Sequence, residues 1–208
     1  MSYEILLAFA VASAVLLAIP GPTVMVVVAQ ALAGGRRTGL ATVPGVVLGD
    51  ATAMTVSLAG AGAVLAASAT LFTLLKLAGA GYLVWLGVKL WRNPPETMET
   101  GAPVPRRQPM GRLFWQAYVV TALNPKSIVF FVAFVPQFIV AGEPLMPQLV
   151  ALEAIFLGLA ALNTALWAWA AGSLRARIGR PQVLRALGRT GAGFLIGAGL
   201  LTAAASRS

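Results

Sequence analysis

The chain has 208 residues, 59% hydrophobic and only 10% charged, with a net charge of +9 and a mean hydropathy of +0.85. Soluble domains average roughly 25% charged residues, so this composition indicates a single membrane domain with no room for a separate soluble one. Cysteine and histidine are both absent, which excludes disulfides, thiolate nucleophiles, imidazole bases and most zinc or haem sites.

The apolar runs predict an all-α integral membrane protein of six transmembrane helices. The first run, about Ile5–Leu32, is interrupted by Pro20-Gly21-Pro22. It does not read as a cleavable signal: it lacks a basic leader, carries Glu4 near its start, and outlasts the usual apolar length of roughly 7–15 residues. The second run, Leu40–Ala67, carries Asp50 about ten residues in, after Gly45 and Gly49. The third, Leu71–Leu90, opens near Lys76, which is expected to snorkel to the interface. The fourth, Leu113–Val140, is interrupted by Asn124-Pro125-Lys126. Glu153 and Asn163 lie in the fifth, Gln148–Ala171, and the sixth is Val183–Ala204. Each run reaches about 20 residues or more, enough to cross a hydrocarbon core of about 30 Å.

Lys and Arg alternate between connections. Arg36 and Arg37 follow the first run; Lys89, Arg92, Arg106, Arg107 and Arg112 surround the third connection; Arg175, Arg177, Arg180, Arg185 and Arg189 surround the fifth. The second and fourth connections have none. The positive-inside rule therefore puts the basic connections in the cytoplasm and both termini outside. The basic excess is a topology signal, with anionic lipid as its neighbour, and a nucleic-acid partner is not expected. Trp85, Trp91 and Trp115 read as interfacial anchors at the same end.

The only long connection, residues 93–112, is rich in proline, including Pro94, Pro95, Pro103, Pro105 and Pro109, and reads as a linker between halves 1–92 and 113–208. Three spans per half would invert the second half relative to the first, the plan of many secondary transporters. Ala18-Ile19-Pro20-Gly21-Pro22 aligns with Ala122-Leu123-Asn124-Pro125-Lys126, each in the first helix of its half. Such paired breaks point to a substrate site, because hydrocarbon tolerates broken helices only inside protein or beside a water-filled cavity.

The candidate site is therefore Pro20, Gly21, Pro22, Asp50, Asn124, Pro125, Lys126, Glu153 and Asn163. A carboxylate at the depth of Asp50 costs about 2.5–3.5 kcal/mol or more when ionised and unpaired. It reads either as a substrate or proton site or as half of a structural salt bridge with Lys126. Lys126 reads equally as a ligand for a substrate carboxylate and as a cap for carbonyls freed at Pro125. Glu153 is divided between a solvated mouth position and a coupling role, and Asn163 between a ligand contact and a bond joining two helices. Gly21 permits positive φ and close approach of a ligand to main-chain N–H groups. Gly193 and Gly197 form a small-xxx-small pattern that leaves a homodimer open.

Several motifs together resemble the LysE/RhtB family of amino-acid exporters. They are Pro20-Gly21-Pro22, then Gly35-Arg36-Arg37-Thr38-Gly39-Leu40, Gly45…Gly49-Asp50, and Gly79-Ala80-Gly81-Tyr82-Leu83…Gly87. Leu123-Asn124-Pro125-Lys126…Phe130-Phe131…Pro136-Gln137-Phe138 and the glycines of the last run complete the series. The resemblance covers essentially the whole chain in order, although the fifth run matches only loosely and the stretch between Pro22 and Gly35 is plain. It implies proton-driven export of amino acids or their derivatives across a bacterial inner membrane, with no cofactor and no enzymatic activity. The alternative is a cation or metal transporter of a related superfamily, against which the scarcity of intramembrane acids argues.

Overall fold

The structure is a computed structural model and describes residues 1–93, 108–173 and 181–204. Most of the proline-rich connection, with Arg106 and Arg107, lies outside these residues, as do Arg175, Arg177 and Arg180. Every described element is helical: α1 (Tyr3–Ala18), α2 (Pro22–Gly34), α3 (Arg36–Leu40), α4 (Val43–Ala67), α5 (Ala69–Arg92), α6 (Met110–Ala122), α7 (Pro125–Ala133), a 3-10 turn (Val135–Phe138), α8 (Leu145–Ser173) and α9 (Pro181–Ala204).

Local chemistry sets the joints. Ser68 is the whole connection between α4 and α5, shorter than its sequence suggests, and its hydroxyl caps α5 by accepting from Leu71 N at 3.2 Å. Gly35 separates α2 from α3 at φ +84°, where a side chain would be strained.

Among the described residues, three helices meet the length and apolarity of a membrane span, and five of the expected spans do so if each bent pair counts as one. Helices α5 and α8, and the run Arg36–Val64 across α3 and α4, are each long and apolar enough to cross a bilayer. Two bent pairs meet the same criterion as units: α1 with α2, bent by 56°, and α6 with α7 and the 3-10 turn, bent by 46°. Helix α9 forms over the sixth expected span, and its described residues include the apolar stretch Ala192–Ala204.

Packing inverts the soluble pattern. Leu7, Val11, Val56, Leu74, Leu166 and Leu201 face outward, as a hydrocarbon solvent requires. The interior is built round Phe9, Leu16, Met54, Phe130, Phe131 and Phe156, with Phe131 edge-on to Phe156 at 4.9 Å. Helix α4 packs on the α6–α7 pair and α8 on the α1–α2 pair, while α5 pairs with α9. Small residues bring backbones together at these seams. A Cβ on Gly49 would lie 2.8 Å from the Tyr118 carbonyl oxygen, and one on Gly199 2.6 Å from that of Ala80. Gly193 and Gly197 take no part, since a Cβ at either would meet nothing within 4 Å. Trp85, Trp91 and Trp115 are exposed as anchors should be, and Lys89 sits 5.0 Å from the centre of the Trp85 ring.

Candidate functional site

Pro20 ends α1. It has no N–H to offer, and its ring pushes Ile19 into extended backbone at φ −68°, ψ 118°. Leu16 O keeps a local bond from Ile19 N at 3.3 Å, while Leu17 O and Ile19 O are left to partners from the rest of the bundle. Lys126 Nζ donates to Leu16 O at 3.1 Å and Ile19 O at 3.0 Å, and Asn163 Nδ2 donates to Leu17 O at 3.0 Å. A buried ammonium against a helix C-terminus is favoured by both the hydrogen bonds and the dipole. Lys126 thus caps carbonyls of the other break, not those at Pro125, and Asn163 joins α8 to α1.

The chain re-enters helix at Pro22, where a missing N–H costs nothing. Gly21 is the N-cap at φ −137°, so its backbone is extended and positive φ plays no part. A Cβ there would lie 3.4 Å from Lys126 Nζ, an ordinary contact distance, so Lys126 packs directly against this position. No side chain caps α2, which leaves the N–H groups of its first turn without side-chain acceptors.

The second break is closed differently. Asn124 caps α7, its Oδ1 accepting from Lys126 N at 3.1 Å. Its Nδ2 donates to Thr23 Oγ1 at 3.3 Å, and Thr121 Oγ1 donates to the same oxygen at 3.2 Å. Thr23 therefore ties the two breaks together.

Asp50 completes the site from α4. It is 2% exposed and, among the described residues, its carboxylate has neither a hydrogen-bond nor an ion-pair partner. Lys126 is near enough to interact with it electrostatically but lies beyond direct ion-pairing distance, so the expected salt bridge is not formed. The two face one cavity lined also by Gly21, Thr23, Asn124, Ser127, Asn163 and Thr164. Val24, Val27, Val46 and Trp167 line it toward the end of the bundle that bears Arg36 and Arg37. Its free space is about 20 Å³, enough for roughly one water. A larger ligand would require the breaks to move apart.

Of the residues expected at the site, Gly21, Asp50, Asn124, Lys126 and Asn163 converge on this cavity, while Pro20, Pro22 and Pro125 shape its backbone. Glu153 does not join them: it accepts from Thr55 Oγ1 at 3.0 Å, linking α8 to α4 elsewhere. Thr164, Ser127 and Trp167 were not legible as site residues. Ser127 follows Lys126 in the first turn of α7, and Trp167 lies one turn beyond Asn163 on α8, so helical periodicity was the available signal.

Residues 14–206 match the LysE type translocator family. The chain is 31% identical to the homoserine/homoserine lactone efflux protein of Salmonella typhimurium over 214 aligned residues, covering 98% of both proteins. It is 31% identical to a membrane protein of Vibrio cholerae, covering 99% of each. A leucine efflux protein of Salmonella choleraesuis is 32% identical over 126 residues, 61% of this chain and 59% of that protein. No solved structure matches the chain. Breaks, cavity and similarity over nearly the full length agree: the chain belongs to the LysE type translocators.

Proposed function

We propose that this protein is a secondary transporter that exports amino acids or amino-acid derivatives from the bacterial cytoplasm, driven by the proton motive force. Its relatives named as homoserine, homoserine lactone and leucine efflux proteins support the substrate class. The observation that carries the reading is the Asp50 carboxylate, buried in a cavity between two broken helices with no hydrogen bond or ion pair among the described residues and with Lys126 beyond direct pairing distance. Such a carboxylate needs a cation, and a substrate ammonium or a proton would each supply one. Because both cannot hold Asp50 at once, inward movement of a proton and outward movement of an ammonium become coupled through one site. The substrate carboxylate would take the open N–H groups at the start of α2 and the remaining donor of Lys126.

The arrangement we favour has six spans in two inverted three-helix halves, with both termini outside the cytoplasmic membrane. Mirrored packing of α4 on α6–α7 and of α8 on α1–α2 supports it, as does the placement of Lys and Arg in alternate connections along the sequence. Single cysteines introduced at Ser2 and at Arg36 in the cysteine-free chain test the orientation. In intact cells an impermeant maleimide should label the first and spare the second.

Efflux from cells loaded with amino acids as dipeptides tests the function. Wild type should speed the exit of at least one amino acid over empty cells, a protonophore should remove the gain, and Asp50→Asn at normal membrane level should lack it. Equal efflux from all of these would refute export and put the cation alternative next in line.

A further inference from the structure

The cavity has two unlike ends. Around the breaks polar groups line it beside Leu16 and Leu17, and it contains one carboxylate, Asp50, and one ammonium, Lys126. Toward the basic end of the bundle its wall is Val24, Val27, Val46 and Trp167. Val24 is 6% exposed and Val27 and Val46 are 1% exposed. Trp167 touches both of the small apolar clusters to which these valines belong. No charged side chain among the described residues faces this apolar end.

Charge matching then limits the substrate. An α-amino acid brings one ammonium and one carboxylate, and these use the single acid and the single base. A third charge, on the side chain, would lie against the valines and Trp167 with no counter-ion, at a cost of several kcal/mol. We infer that the site selects amino acids with uncharged aliphatic side chains, which Val24, Val27, Val46 and Trp167 receive, and excludes basic and acidic ones. This deepens the exporter reading and rests on it. The head-group contacts are common to all amino acids, so discrimination falls to this wall.

Dipeptide-loaded cells give the test, with leucine, valine, phenylalanine, lysine and glutamate followed separately. Leucine or valine should leave at least about tenfold faster, above empty cells, than lysine or glutamate, the ratio that about 1.4 kcal/mol of unpaired charge would give. Trp167→Ala and Val46→Ala should each enlarge the wall and raise phenylalanine efflux relative to leucine. Where Trp167→Ala does not accumulate in the membrane, Val46→Ala serves alone. Lysine or glutamate leaving as fast as leucine, with Asp50→Asn abolishing all efflux, overturns the side-chain assignment and leaves the exporter reading standing. An unchanged phenylalanine-to-leucine ratio in the wall variants overturns the role of the wall. Efflux of none of the five overturns this inference, and the exporter reading falls with it only if homoserine, threonine and the remaining amino acids also leave no faster than from empty cells.

Discussion

The two helix breaks solve one problem in opposite ways. Between α6 and α7 only Leu123 and Asn124 intervene, and that break supplies its own cap: Asn124 accepts from Lys126 N, while Asn124 N donates back to Thr121 O at 3.0 Å. Between α1 and α2 three residues intervene, Ile19 to Gly21. There the carbonyl side is covered by Lys126 and Asn163 from distant helices, and the N–H side has no side-chain cap. A self-capped break is a joint. One capped on a single side leaves donors directed at a ligand. Proline alone therefore does not identify a binding site; the pattern of satisfied and unsatisfied backbone groups around it does.

Substitutions can break or sharpen this contrast. The largest effect is expected at Asp50, the charge facing the open break: Asp50→Asn should lower efflux about 100-fold at unchanged membrane level, the scale of a lost charge-assisted contact. Efflux within about threefold of wild type would remove Asp50 from the site, since losing such a contact should cost more than 1 kcal/mol. Lys126→Ala comes next, leaving Ile19 O without its partner in a buried setting. It should cost about 1–3 kcal/mol of stability, visible as a lower thermal transition in detergent, as well as transport. Asn124→Ala disturbs the self-capped break and should cost about 1 kcal/mol, the usual value of an N-cap, with efflux reduced by less than in Lys126→Ala. If Asn124→Ala abolishes efflux while retaining stability, the two breaks are functionally alike and the contrast fails. Glu153→Gln should change efflux less than about twofold, because glutamine can still accept from Thr55 and the residue lies away from the cavity.

The sequence located both breaks to the residue, because proline acts locally on its own turn and on the residue before it. It placed Asp50 and Lys126 together by depth alone, since few charges can lie at mid-membrane. Their contacts were another matter. That Lys126 serves carbonyls of α1 more than a hundred positions away depends on how α7 meets α1, which no local pattern encodes. Glu153 shows the same limit: its position left a solvated mouth and a coupling role both open, and its bond from Thr55 Oγ1 could not be read along the chain. Gly193 and Gly197 had the spacing of a packing motif, while the packing falls to Gly87 and Gly199, which read no differently along the chain.

Because the end of α1 is sealed by side chains from α7 and α8, biogenesis inherits an order of events. While the first helices emerge from the ribosome, the carbonyls of Leu17 and Ile19 have only water at the insertion machinery or lipid as neighbours. Membrane quality-control proteases should therefore degrade a fragment ending at Asn93. The same fragment should persist when residues 108–208 are supplied as a separate polypeptide in the same cell. Lys126→Ala in that second polypeptide should shorten the lifetime of the first, a form of rescue that pulse-chase labelling reads without any transport assay.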